Sequence, residues 1–128
     1  MLSKLRILLE YHSYPVWLYD EDGGVIDTLL PEELRTDHEL DQKFDDLQAR
    51  YDALFIDTAH EFSFLGFSTD AEKELFLRDM DAAVAELAAK VDGRYPIIND
   101  IHLAFPKDAD TVASNGYSVS ANPRGLEN

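Results

Sequence analysis

Cysteine is absent from the 128-residue sequence, which excludes disulfides, thiolate metal sites and a cysteine nucleophile, and is compatible with a reducing compartment. Basic residues are scarce. Eleven Lys and Arg stand against 26 Asp and Glu, a formal net charge of -15 at pH 7. A field of that sign repels nucleic acid and anionic lipid, so direct DNA or RNA binding is not expected, whereas cations and basic proteins are attracted. No apolar run approaches the roughly 18 residues of a membrane span. Glu10 and His12 interrupt the N-terminal leucines before a signal-peptide core develops, and the expectation is a soluble, cytoplasmic protein. Phosphate loop, dinucleotide fingerprint and G-x-S-x-G elbow are also missing, so nothing in the motif content points to an enzyme or to a cofactor.

What is present is a dense apolar and aromatic stretch from Tyr51 to Phe67. Two clusters, Leu54 to Ile56 and Phe62 to Phe67, flank the polar residues Asp57, Thr58, His60 and Glu61, a pattern that predicts two strands joined by a tight connection. An alternative is that Leu54 to Ile56 ends the preceding helix. A second hairpin is predicted where Val16 to Tyr19 and Val25-Ile26 bracket Asp22-Gly23-Gly24, because glycine and aspartate tolerate the positive φ of a tight turn.

Three helices are expected. Residues 2 to 12 place Leu2, Leu5, Leu8, Leu9 and His12 near one side at helical spacing, up to Pro15. Pro31 to Leu34 reads as a single helical turn. Thr36 and Glu39 match a capping box ahead of the stripe Leu40, Phe44, Leu47, Tyr51 and Leu54. Thr69 and Glu72 form a second box ahead of Phe76, Met80, Ala83, Val84, Leu87 and Val91, with Lys90 and Gly93 suited to the helix end. The predicted order is helix, hairpin, helix, hairpin, helix: one α+β domain over residues 1–106, an antiparallel sheet of about four strands packed with the helices. Ile97, Ile101 and Phe105 suit a helical turn or an extended edge. Residues 107–128, rich in Asn, Ser, Gly and Pro, read as a flexible polar tail.

Two groups of residues are candidates for function. Acidic side chains gather at the first hairpin tip, Asp20, Glu21 and Asp22, and on the second helix, Asp41, Asp45 and Asp46. Complementary charge speeds encounter with a basic partner and suppresses wrong ones. These six residues are therefore the expected contacts of a protein-binding inhibitor, of the immunity or antitoxin kind, acting on a basic toxin such as a nuclease. A DNA mimic is a special case of that reading, set against it by the irregular spacing of the acids. The second candidate is a small-molecule or enzymatic pocket between the aromatic group around Tyr14, Trp17 and Tyr19, with Tyr11, and the His60 connection. His60 beside Asp57 and Glu61 offers a base or a metal ligand, but only one histidine is local. Asp20 to Gly24 fails as a calcium loop, since Gly24 and Pro31 stand where ligands belong. No metal site is expected.

Overall fold

The computed structural model describes residues 1–105. Six strands, two α-helices and two 3-10 turns follow one another as β1 (Leu2–Ile7), β2 (Val16–Asp20), β3 (Val25–Thr28), a turn at Glu32–Leu34, α1 (His38–Asp52), β4 (Phe55–Asp57), β5 (Phe62–Phe64), α2 (Asp70–Val91), β6 (Ile97–Asn99) and a turn at Ile101–Ala104. The main sheet has the order β3-β2-β1-β6, and β4-β5 form a separate two-stranded sheet. The architecture is one α+β domain. The boundary expected at residue 106 and the tail over residues 107–128 lie outside the described residues.

The N-terminal segment is the principal correction. Residues 2 to 7 are not a helix but the inner strand β1, so the chain starts on a strand and carries two helices rather than three. Leu2, Leu5, Leu8 and Leu9 fit a helical stripe, yet Leu5, Ile7 and Leu9 fit period two equally well, and a window this short cannot separate them. Pairing decides. In the register Leu5 faces Leu18 and Ile7 faces Val16 across β2, while Leu5 and Ile7 also pair with Ile97 and Asn99 of β6. Because β6 runs parallel to β1, the sheet is mixed rather than antiparallel.

The predicted hairpins both form, but only one enters the main sheet. β2 and β3 pair antiparallel, with Trp17 opposite Thr28. Gly23 supplies the left-handed backbone of their turn at φ 87°, and the Asp20 carboxylate accepts from the Asp22 and Gly24 amides, both at 2.9 Å. β4 and β5 pair as Phe55 with Phe64 and Asp57 with Phe62, so the Leu54 cluster does not end the helix.

Helix α1 begins one residue later than the Thr36 box predicts, because Asp37 is its N-cap and accepts from the Leu40 amide. Aspartate serves that position at least as well as threonine. Thr69 caps α2 as expected, accepting from the Glu72 amide at 3.1 Å, although the Glu72 carboxylate returns to Ser68 rather than to Thr69. α2 ends in left-handed Asp92 and Gly93.

The alternation in β1 and β2 sorts the sheet into two faces. Leu5, Ile7, Val16 and Leu18 join Leu40, Phe44, Leu47 and Tyr51 of α1 and Phe76, Met80, Leu87 and Val91 of α2 in one buried core. Each side chain withdrawn there contributes about 1.5–3 kcal/mol. The opposite face carries Lys4, Arg6, Trp17 and Tyr19, which pair across β1 and β2. The helices are antiparallel and laced by ion pairs: Asp37 with Lys90, Lys43 with Glu86 at 2.6 Å, and Arg50 with Asp79 at 2.9 Å. No helix among the described residues is long and apolar enough to cross a membrane.

Candidate functional site

The six acids singled out in the sequence are split by the fold. Asp20, Glu21 and Asp22 form the β2–β3 turn, where the Asp20 carboxylate builds the turn itself and Glu21 and Asp22 stay exposed. Asp41 and Asp45 lie one helical turn apart on the side of α1 that faces Tyr14. Tyr14 precedes β2 and Asp20 closes it, so the two acidic groups are separated by about 20 Å of extended chain. Asp46 points elsewhere again. It accepts from Gln42 at 2.9 Å and lines a groove of about 320 Å³ between the helices with Lys43, Arg50, Asp79 and Glu86.

Charge on this surface has a simple internal logic. Arg6, Lys43, Arg50, Lys90 and Arg94 each hold a carboxylate of the protein's own, which ties up cations inside the structure and leaves the surplus acids facing solvent. Lys90 holds the Asp37 carboxyl below its ordinary range, and Lys43 with Lys90 does the same for Glu86. Glu33 is lowered too, first by a backbone hydrogen bond and then by Tyr95 and Arg94. Asp45 shifts the other way: partial burial raises it, and the like charges of Asp41 and Asp46 add to the effect.

The signs give a pH prediction. A raised carboxyl costs stability once ionised, so acidification from pH 7 through its folded value relieves that cost. Lowered carboxyls stabilise above the ordinary carboxylate value near 4, and that stability is lost as pH falls through their folded values. Stability followed by urea midpoint is therefore expected to rise as pH falls through the raised folded value of Asp45, and to fall as pH drops on through the lowered values of Asp37, Glu86 and Glu33. A midpoint that declines steadily from pH 7 would contradict repulsion among the α1 acids.

The residues of the predicted pocket occupy three places and do not line one cavity. Tyr14 packs against Phe44 with ring centroids 6.0 Å apart, and its phenol is held well above the ordinary value, by burial first and by Asp41 next. Trp17 and Tyr19 lie on the outward face of the sheet, the indole donating to the Leu8 carbonyl at 3.1 Å and the Tyr19 hydroxyl accepting from Arg6 at 3.2 Å. His60 is exposed in the β4–β5 connection, where its amide donates to the Thr58 hydroxyl. Among the described residues no group of three or more His, Asp or Glu side chains is placed to hold a metal.

Tyr11 is the aromatic that reaches the hairpin. It sits with His12 in the tight β1–β2 turn, closed by the Ser13 amide donating to the Glu10 carbonyl. His12 is left-handed at φ 61°, a conformation uncommon outside glycine. The end of α1 clamps this turn: Asp52 accepts from the His12 amide at 2.9 Å, and Gln48 donates to the Glu10 carbonyl and to Asp52, both at 2.8 Å. The Tyr11 ring then lies 4.7 Å from Phe55 and 5.0 Å from Phe62, and its hydroxyl donates to Asp57 at 3.0 Å.

Between this turn and the hairpin runs a groove of about 530 Å³, lined by Leu8, Glu10, Tyr11, Phe55, Phe62 and Leu103 among others. Phe62 is 58% exposed, Phe64 44% and Leu65 64%. The sequence pattern locates the strands without saying which of their rings face solvent. The available signal was the alternation Phe62-Ser63-Phe64, which puts both phenylalanines on one face of a strand too short to be buried on both.

No curated protein matches the chain. The family model described as Serratia CdiI immunity protein-like matches residues 3–99, well over half of the sequence.

Proposed function

The chain belongs to the Serratia CdiI immunity protein-like family, and from that premise we propose that it protects by binding a basic toxin domain, its surplus carboxylates meeting the cationic surface with which such a toxin engages an acidic substrate. A family of this kind consists of inhibitors of contact-dependent inhibition toxins, not of enzymes, and implies a cognate CdiA toxin domain as the partner. The site of action is inside the cell, where the toxin would otherwise work.

The observation that carries the reading is the charge, -15 over 128 residues, with five of the eleven Lys and Arg residues paired to the protein's own carboxylates. A nuclease toxin fits best, because a protein that grips phosphates needs Lys and Arg where it does so. Asp41, Asp45 and Asp46 on α1 and Asp20, Glu21 and Asp22 at the hairpin tip are the proposed contacts. Of these, Asp41 and Asp45 continue along the helix toward Asp52 and the Tyr11 turn, and they are the members best placed to share one partner surface. Their separation from the hairpin tip favours charge complementarity over mimicry of a regular row of phosphates.

Titration of the cognate CdiA toxin domain with the full chain tests this. The expected result is a one-to-one complex whose formation removes toxin activity in proportion, with an association rate that falls steeply as salt rises. A toxin domain that does not bind overturns the reading, and binding indifferent to salt removes the part assigned to the acids.

A further inference from the structure

Apolar side chains left in water on a small protein usually mark a surface that something covers. Here Phe62, Phe64, Leu65 and Leu103, between 44% and 64% exposed, gather on and beside one hairpin. The rings are not loose. Phe62 stacks on Phe55 at 5.4 Å, Tyr11 meets both, Phe64 touches Phe105 at 6.5 Å, and Phe105 packs against the fully buried Phe76 at 6.1 Å. A continuous train of aromatic contacts thus leads from the surface into the core, so these rings are held in place before any partner arrives.

Lys73 stands over the Phe105 ring, but the unpaired charge at the groove and the hairpin connection is acidic. Glu10, Asp57 and Glu61 are all exposed beside the groove and hairpin, and none of the three enters the ion pairs among the described residues. Arg6, the cation lining the groove, is held by Asp100 at 2.7 Å. An apolar centre within an unpaired acidic rim is the anatomy of a protein interface whose other half is apolar in the middle and basic outside.

We infer that the surface made by the Tyr11–His12 turn and the β4–β5 hairpin is where the toxin domain is held, its apolar side chain seated against Phe62 and Phe64 and its basic residues facing Glu10, Asp57 and Glu61. This rests on the inhibitor reading and assigns that reading a second, different set of residues. The α1 acids govern arrival; the aromatic hairpin governs how long the complex lasts.

The experiment measures association and dissociation of the cognate CdiA toxin domain with the full chain, with the double variant Phe62→Ser/Phe64→Ser, and with Ile98→Ser, which removes an exposed apolar side chain from the main sheet instead. The double variant is expected to bind at least about thirtyfold more weakly through faster dissociation, with unchanged circular dichroism, and Ile98→Ser is expected to bind as the parent does. Should the double variant lose its fold, Glu10→Lys/Glu61→Lys probes the same surface, with an expected loss of about tenfold. Parent-like affinity in the hairpin or rim variants overturns the inference and leaves the inhibitor reading standing; equal weakening by Ile98→Ser overturns it as well. A parent chain that does not bind the toxin domain overturns both. A parent dimer that Phe62→Ser/Phe64→Ser converts to monomer without changing toxin affinity shows a second copy of the chain to be the occupant, and also overturns the inference.

Discussion

Alanine at position 76 is expected to remove about 3–5 kcal/mol of stability. Phe76 is fully buried and lies between Phe67 at 5.4 Å and Phe105 at 6.1 Å, with the Arg50 guanidinium 5.3 Å from its ring centroid. Truncation leaves a cavity under the N-terminal third of α2 that neither neighbour can fill, since each is fixed by other rings. Set against the roughly 5–15 kcal/mol of a typical domain, the loss takes a large share of the total. The urea midpoint should drop by about 2 M, whereas Phe76→Leu, which keeps most of the volume, should cost under about 2 kcal/mol. Loss of the ring also withdraws the support of Phe105 beneath the exposed hairpin. Folded Phe76→Ala is therefore expected to bind toxin less tightly than the parent, although residue 76 touches no partner. A stability loss below about 1 kcal/mol would show that the aromatic train is not anchored there.

Charge reversal on α1 should change a different quantity. Asp41→Lys, Asp45→Lys and Asp46→Lys together move the formal net charge of -15 by six units, two of the substitutions on the side of α1 that faces Tyr14 and one at the groove between the helices. Association with the toxin domain is expected to slow about tenfold or more at low salt. The difference should shrink at high salt, where screening flattens the field that steers encounter, while dissociation stays near its parent value. Asp41 stands in the first turn of α1 and faces the buried Tyr14 phenol, so circular dichroism and melting temperature are measured beside the kinetics, which count for a variant that folds as the parent does. Unchanged association kinetics would remove these three residues from the interface. At the β2–β3 turn the useful substitutions are Glu21→Lys and Asp22→Lys, because Asp20 holds two amides of the turn and its loss would disturb the hairpin itself.

The contrast between α2 and β1 shows which parts of the fold were legible from residues alone. Thr69, the long stripe from Phe76 to Val91 and the Gly93 stop state one helix at every level, and the structure agrees. β1 is read wrongly because its leucines satisfy two periods at once, and one of its two partners, β6, is three residues long and about ninety residues away. Local pattern carries no trace of such a pairing. The acids were legible as composition. Their division was not, since Asp20 becomes a turn builder, Asp46 a groove wall and Asp45 a strained neighbour only once the elements are packed. Rings pose the converse problem. Phe62 and Phe64 look like core in a sequence, and they stay largely exposed because Phe55, on the same face of the two-stranded sheet, takes the place against the core.

The placement of β1 between β2 and β6 also sets a timetable. β1, β2 and β3 are consecutive and pair locally, so this meander can assemble before β6 is made. Its fourth strand is synthesised last but one among the described elements, and closing so long a stretch of chain is the slow kind of event in folding. A cell therefore gains no finished sheet from a partly made copy. The interval between starting a polypeptide and possessing a working protector is set by completion of the chain to β6 and by that closing step, and a supply of molecules finished in advance is what meets a toxin already at hand.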